Sequence, residues 1–384
     1  MSGGRLLGVG AALVDGAILG GDVCVGRDGT VESVGVPYVG RRSSMAVPGL
    51  VDLQVNGFAG VDLRHADEDG YRAAGAALAA HGATAVQPTF FGCSVDGYVD
   101  ALSVLAAVRH RRLGDVPSPT GCRFLPAHLE GPFLNPTFKG AHDARTFLEP
   151  SVEVADRLVG TGQVGFVTLA PELVGGIELV RHLAGLGVVV SIGHSDADDD
   201  TTVAAIDAGA RHLTHCWNAH RRLTSRDPGP AAVALVRPLL AVGLIVDRVH
   251  VADETVRLTL KAAEGRVAAT TDAIAPAGLV PRSGDNGTWD VGSGLAVTVA
   301  EGRATLADGT LAGSVATPVD LVRNLMWLGL DLEDAVDACG GVQRRLLGLD
   351  DVRVRPGDVA DLTVLEDDMS VLRTLVDGHE VHAA

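Results

Sequence analysis

Eight times along this 384-residue chain a short, β-branched apolar run ends in polar residues and gives way to an alanine- and leucine-rich stretch with helical spacing. The runs fall at 49–55, 83–89, 122–130, 164–172, 188–194, 212–218, 242–250 and 266–272. Segments such as VVVSI, VGLIV and RVAAT are apolar without alternation, as parallel strands covered on both faces must be. Eight β/α units of this kind predict an α/β fold, a (β/α)8 barrel, with a doubly wound open sheet as the nearest competitor. The polar strand ends favour the barrel, which gathers the carboxyl ends of its strands at one mouth.

The flanks read differently. Residues 1–47 and 355–384 carry short valine-rich segments broken by Gly and Asp turns, as in GDVCVGRDGTVESVGV and RPGDVADLTVLEDD. They predict antiparallel strands, and a small β-sandwich domain built from both termini around a barrel spanning 48–354. The Gly- and Asp-rich segment 281–310 predicts a hairpin inserted after the eighth strand.

Composition narrows the partners. With 31 basic and 48 acidic residues the formal charge is −17, and no basic run is present, which argues against nucleic acid. The N-terminus lacks the pattern of a secretory signal and no stretch reaches membrane-spanning length, so no membrane partner and a cytoplasmic location are expected. Five scattered cysteines without a CxxC argue against a disulfide framework or a thiolate zinc cluster.

Glu130, His194 and His215 end the third, fifth and sixth candidate strands. Two imidazoles and a carboxylate form a ligand set for a catalytic Zn²⁺ or Fe²⁺ that leaves a coordination position open. One histidine at a strand end is more often a satisfied polar group than a ligand; two, with a glutamate and a late aspartate in one mouth, reverse that expectation. Asp272 ends the eighth strand, where a carboxylate can move a proton during hydrolysis, although an aspartate between strand and helix is also a favoured N-cap. Gly193-His194-Ser195-Asp196-Ala197 loosely matches a nucleophile elbow with Ser195 as the attacking group, a reading that leaves Glu130, His215 and Asp272 without a role.

The motifs together are more specific than any one of them. PGLVDLQVNGFAG (48–60), HLEGPFLNP (128–136), KGAHD (139–143), VTLAPE (167–172), GHSDA (193–197), THCWNAH (214–220), VHV (249–251), TDAIAPAG (271–278) and LAGS (311–314) occur in this order. The series closely resembles the N-acetylglucosamine-6-phosphate deacetylase family of the amidohydrolase superfamily, over essentially the whole chain. The resemblance implies metal-dependent hydrolysis of an N-acetylated amino-sugar phosphate, with one divalent ion per subunit, Zn²⁺ first and Fe²⁺ or Co²⁺ also suitable. Glu130, His194 and His215 would be the ligands and Asp272 the acid/base. Substrate contacts would fall at Ala141, His142, Asn218, Ala219, Asp247, Arg248, His250, Leu311, Ala312 and Gly313. Arg226 would bind phosphate across a homodimer interface; without the resemblance it reads as a solvated loop charge.

Many superfamily relatives hold a second metal with a His-x-His on the first strand and a carbamylated lysine after the fourth. Here the first strand ends Gln54-Val55-Asn56, the fourth runs into Ala170-Pro171-Glu172, and the chain's two lysines, Lys139 and Lys261, lie elsewhere. One metal is therefore expected, a conclusion compatible with Gln54 and Asn56 simply satisfying backbone groups at the barrel mouth. Arg248 stands where relatives commonly have glycine, His220 where they have methionine, and LAGS where they have Leu-Ser-Gly-Ser. These departures border the sugar, so a galactosamine isomer is the alternative substrate and a noncatalytic sugar-phosphate sensor the alternative function.

Overall fold

The apolar runs fold as parallel strands of one barrel in the computed structural model, which describes residues 3–37, 41–110, 121–279, 284–291 and 295–384. Strands β1 (Leu50–Val55), β2 (Ala83–Phe91), β3 (Ala127–Glu130), β4 (Val164–Leu169), β5 (Val189–Ile192), β6 (His212–Leu213), β7 (Ala241–Ile245) and β8 (Val267–Thr270) pair in sequence order. Helices such as 68–80, 95–110, 176–185 and 253–262 cover them outside, burying one face each. No helix among the described residues is long and apolar enough to cross a membrane.

A side chain closes the circle between β8 and β1. Asp52 on β1 accepts from Thr270 Oγ1 and Thr271 Oγ1, each at 2.6 Å, and from the Thr271 and Gln54 amides at 3.2 Å. One backbone bridge, Val55 to Ala273, completes the seam.

Two of the expected strands differ. The run 122–130 is divided into Arg123–Phe124 and Ala127–Glu130, since Pro126 has no amide to give a ladder. The run 212–218 keeps only two strand residues, because His215, with φ 28°, leaves the extended region just after Thr214, whose hydroxyl faces the barrel interior. That hydroxyl belongs to a buried chain running His128 Nε2, Thr168 Oγ1, Thr214 Oγ1, Ser191 Oγ and His212 Nδ1, with steps of 2.7, 2.7, 2.5 and 2.9 Å. Burial pulls His128 down to about 4 and His212 to about 3, so both imidazoles are neutral.

Both termini build one sandwich. A six-stranded sheet is ordered His379–Ala383, Val371–Val376, Leu362–Leu365, Arg41–Pro48, Val9–Val14, Ala17–Gly20. It packs on a three-stranded sheet of Arg5–Leu6, Asp22–Val25 and Val31–Val36 through Val9, Val23, Val31, Leu362 and Leu375. The insertion after β8 is larger than the expected hairpin, of which 281–283 and 292–294 lie outside the described residues. It is a four-stranded antiparallel sheet of Asp285–Asp290, Ala296–Ala300, Arg303–Thr305 and Leu311–Ser314. Its last strand, the LAGS segment, returns to the barrel mouth, where the Ser314 amide donates to the Asp272 carbonyl at 2.9 Å.

Candidate active site

Three strand ends bring Glu130, His194 and His215 together. Glu130 is the last residue of β3, while His194 and His215 each lie two residues beyond β5 and β6. All three are buried, and one ligand atom from each lies within 4.8 Å of the others. Glu130 Oε1 is 3.1 Å from His194 Nε2 and 2.9 Å from His215 Nε2.

The opposite ring nitrogens explain the arrangement. His194 Nδ1 lies 2.7 Å from the Phe138 carbonyl and His215 Nδ1 3.1 Å from that of Asn218. A carbonyl only accepts, so each Nδ1 carries the hydrogen, and in a neutral imidazole Nε2 presents a lone pair. Two lone pairs and a carboxylate oxygen then face one point, an arrangement that holds either extra protons or one cation. Such Nδ1-to-carbonyl bonds are what orient histidine ligands in metal sites. When the Nε2 nitrogens carry the extra protons, burial still raises the Glu130 carboxyl, but bonds from His142, His194 and His215 then hold it well below the ordinary carboxylate range.

Three residues of the site also share an unusual backbone conformation. His194, His215 and Asp272 have φ of 50°, 28° and 50°, a region that costs a non-glycine residue roughly 1–3 kcal/mol and recurs at functional sites. Gly193 makes room for this turn, since a Cβ there would stand 2.4 Å from Thr168 Cγ2.

Asp272 is buried beside the cluster. Loss of solvent pushes its carboxyl up to about 7, helped by the Glu130 charge and opposed by His215, His250 and a 2.7 Å bond from Asn56 Nδ2. It is thus poised to exchange a proton near neutrality. It caps no helix; the N-cap alternative does not describe it. Across the mouth, burial disfavours the charged form of His250, yet the 2.7 Å bond to Asp247 Oδ2 and that carboxylate's charge raise it. Asp247 is lowered in turn: the His250 contacts and the His250 and Val249 amides outweigh its burial.

These groups open on a cavity of about 280 Å³. Of the expected substrate contacts, Ala141, His142, Asn218, Ala219, His250, Leu311, Ala312 and Gly313 line it, beside Glu130, His194, His215 and Asp272. Three others are absent from this lining. Asp247 Oδ2 lies 2.7 Å from His250 Nδ1. Arg248 turns away, its guanidinium 3.5 Å above the Trp327 ring and 3.2 Å from Asp253 Oδ2. Arg226 is exposed and contributes nothing to the cavity of its own chain. Ser195, the elbow alternative, donates its hydroxyl to Glu172 at 2.7 Å and is fully buried.

Two residues given only backbone roles lie inside the site. Gln54 Nε2 donates to Glu130 Oε1 at 3.1 Å, and Asn56 holds Asp272. Their spacing was the available signal: alternate residues on one strand face the same side, the side that points into the mouth. Phe91, its ring 5.1 Å from His142, and the apolar Ile274, Val291 and Leu295 also line the cavity.

A (β/α)8 barrel that brings a buried His₂Glu cluster able to hold a metal ion and an aspartate after the eighth strand to one mouth has the groups of a hydrolase. No family model matches the chain. N-acetylglucosamine-6-phosphate deacetylase from Vibrio furnissii is 30% identical over 375 residues, covering 94% of this chain and 91% of that protein. N-acetylgalactosamine-6-phosphate deacetylase from Escherichia coli O157:H7 is 31% identical over 353 residues, with coverage of 91% and 90%. The solved structure of N-acetyl-D-glucosamine-6-phosphate deacetylase from Mycobacterium smegmatis, a mutant in complex with N-acetyl-D-glucosamine-6-phosphate, matches with a TM-score of 0.88 and 31% identity over 98% of this chain and 99% of that one. The chain belongs to the N-acetylglucosamine-6-phosphate deacetylase family.

Proposed function

We propose that this protein hydrolyses the N-acetyl group of N-acetylglucosamine 6-phosphate, giving glucosamine 6-phosphate and acetate. The observation that carries the reading is the convergence of the Glu130–His194–His215 cluster and the buried Asp272 carboxyl on one cavity. The ligands fit a divalent cation, Zn²⁺ foremost, with Fe²⁺ and Co²⁺ suited to the same donors. When bound, such an ion supplies Lewis acidity towards the amide and an activated water.

The protein's own groups do the rest. Asp272 takes a proton from the attacking water and delivers it to the nitrogen as the C–N bond breaks. Asn56 aims the carboxylate through its 2.7 Å bond. His250, whose protonated form the Asp247 carboxylate favours, donates to the carbonyl oxygen as negative charge develops there, worth about 3 kcal/mol if it acts as a single oxyanion donor.

The described cavity lining contains neither lysine nor arginine, so it offers a phosphate no permanent cation. That supports a homodimer in which Arg226 of one subunit reaches the phosphate in the other, where a guanidinium fork suits a phosphate monoester. All five cysteines are free, in keeping with a cytoplasmic location. A galactosamine isomer remains the second reading, favoured by the similarity to the N-acetylgalactosamine-6-phosphate deacetylase.

The test is product analysis by NMR with both sugar phosphates and their unphosphorylated forms after metal reconstitution. Acetate and free amine should appear fastest from N-acetylglucosamine 6-phosphate. Faster turnover of the galactosamine isomer would reassign the sugar, and binding without acetate release would overturn the enzymatic reading.

A further inference from the structure

The VTLAPE motif ends in a carboxylate that the mechanism above does not use. Glu172 follows β4 at the mouth of the barrel, yet it contributes nothing to the Glu130–His194–His215 cluster. It instead gathers donors from two neighbouring loops. Glu172 Oε1 accepts from Asn135 Nδ2 at 2.9 Å and from the Asp196 amide at 2.6 Å, and Oε2 accepts from Ser195 Oγ at 2.7 Å. The Ser195 hydroxyl in turn accepts from the Ala197 amide at 3.0 Å.

The residue at the centre of these bonds is His194. Its carbonyl accepts from the Asn135 amide at 3.0 Å, its Nδ1 donates to Phe138 in the same loop, and its φ of 50° is one that the turn must enforce. The next two residues are fastened to Glu172, as is the asparagine that grips its carbonyl. We infer that Glu172 is a positioning residue for His194, fastening the β3 and β5 loops so that Nε2 of His194 stays aimed at the point it shares with Glu130 and His215. The inference rests on the proposed metal site but not on the identity of the sugar or on turnover.

The experiment measures metal binding rather than activity. The metal-free full-length protein and its Glu172→Ala, Glu172→Gln and Ser195→Ala variants are titrated with Zn²⁺ against a chromophoric chelator, and the thermal midpoint of each metal-free form is recorded. Glu172→Ala should bind Zn²⁺ roughly 10–100-fold more weakly, the usual consequence of losing a partner behind a metal ligand, with its metal-free midpoint close to that of wild type. Glu172→Gln should recover most of the affinity, because its amide oxygen can keep Asn135 and Asp196 while its NH₂ donates to Ser195. Ser195→Ala, which removes one bond of the set, should show a smaller loss and serves if Glu172→Ala fails to fold. Affinities in both alanine variants within about twofold of wild type, or a glutamine variant as weak as the alanine one, would overturn the inference. Wild-type protein that binds Zn²⁺ tightly but releases no acetate would instead count against the proposed function and leave the role of Glu172 standing.

Discussion

Asn56 Nδ2 donates to Asp272 Oδ1 at 2.7 Å, joining the end of the first barrel strand to the residue that follows the eighth. The bond favours the carboxylate form and works against the burial that lifts this group to about 7.

Removing it should move the pH profile in a defined direction. In Asn56→Ala the Asp272 carboxyl rises further, more of it is protonated near neutrality, and less is available as a base. The acidic limb of kcat/KM should therefore shift to higher pH by about one unit, given that a bond to a charged group is worth about 1.5–3 kcal/mol and one pKa unit about 1.4. Wild type and variant are compared with the same metal bound, so a shift that the metal imposes on both cancels. An unmoved acidic limb would show that the bond does not tune Asp272.

The barrel seam makes a stability prediction. Asp52 is fully buried, and its carboxyl is raised by burial against the opposing bonds from Thr270, Thr271 and Gln54. Asp52→Ala leaves these donors without their acceptor and should cost about 2–4 kcal/mol in urea unfolding, whereas Asp52→Asn, which keeps an acceptor of the same shape, should cost less. Equal stability of all three proteins would mean that the seam is held elsewhere.

Arg226 is tested by complementation. Arg226→Ala alone should raise KM for the phosphorylated sugar far more than for the plain one. Mixed and reassociated with Asp272→Asn, it should regain about a quarter of wild-type activity, because half the dimers then hold one site with both an intact acid/base and a partner arginine. No regain on mixing, with mixed dimers verified, would place the phosphate cation elsewhere.

What could be read from the sequence follows the range of the interaction. Eight apolar runs define the barrel because strand burial acts residue by residue, and Glu130, His194 and His215 could be picked out because each is a ligating type at a strand end. Gln54 and Asn56 are not legible in the same way, since a neutral amide carries no chemical signature until its partners, 76 and 216 residues away, are in place. The direction of Arg248 is hidden for a like reason: Trp327 and Asp253 hold it, and nothing in the Asp-Arg-Val-His motif announces the tryptophan. The inserted sheet exceeded a hairpin because LAGS, read only as a substrate motif, is also its last strand.

The central claim is that Asp272 moves the proton beside a metal held by Glu130, His194 and His215. The most direct measurement is acetate release from N-acetylglucosamine 6-phosphate by Zn²⁺-loaded wild type and Asp272→Asn, with bound zinc quantified in both. The account predicts equal zinc content and a rate about 10²–10⁴-fold lower in the variant, with wild-type activity abolished by chelation and restored by Zn²⁺. An Asp272→Asn protein that keeps its zinc and turns over as fast as wild type would contradict it.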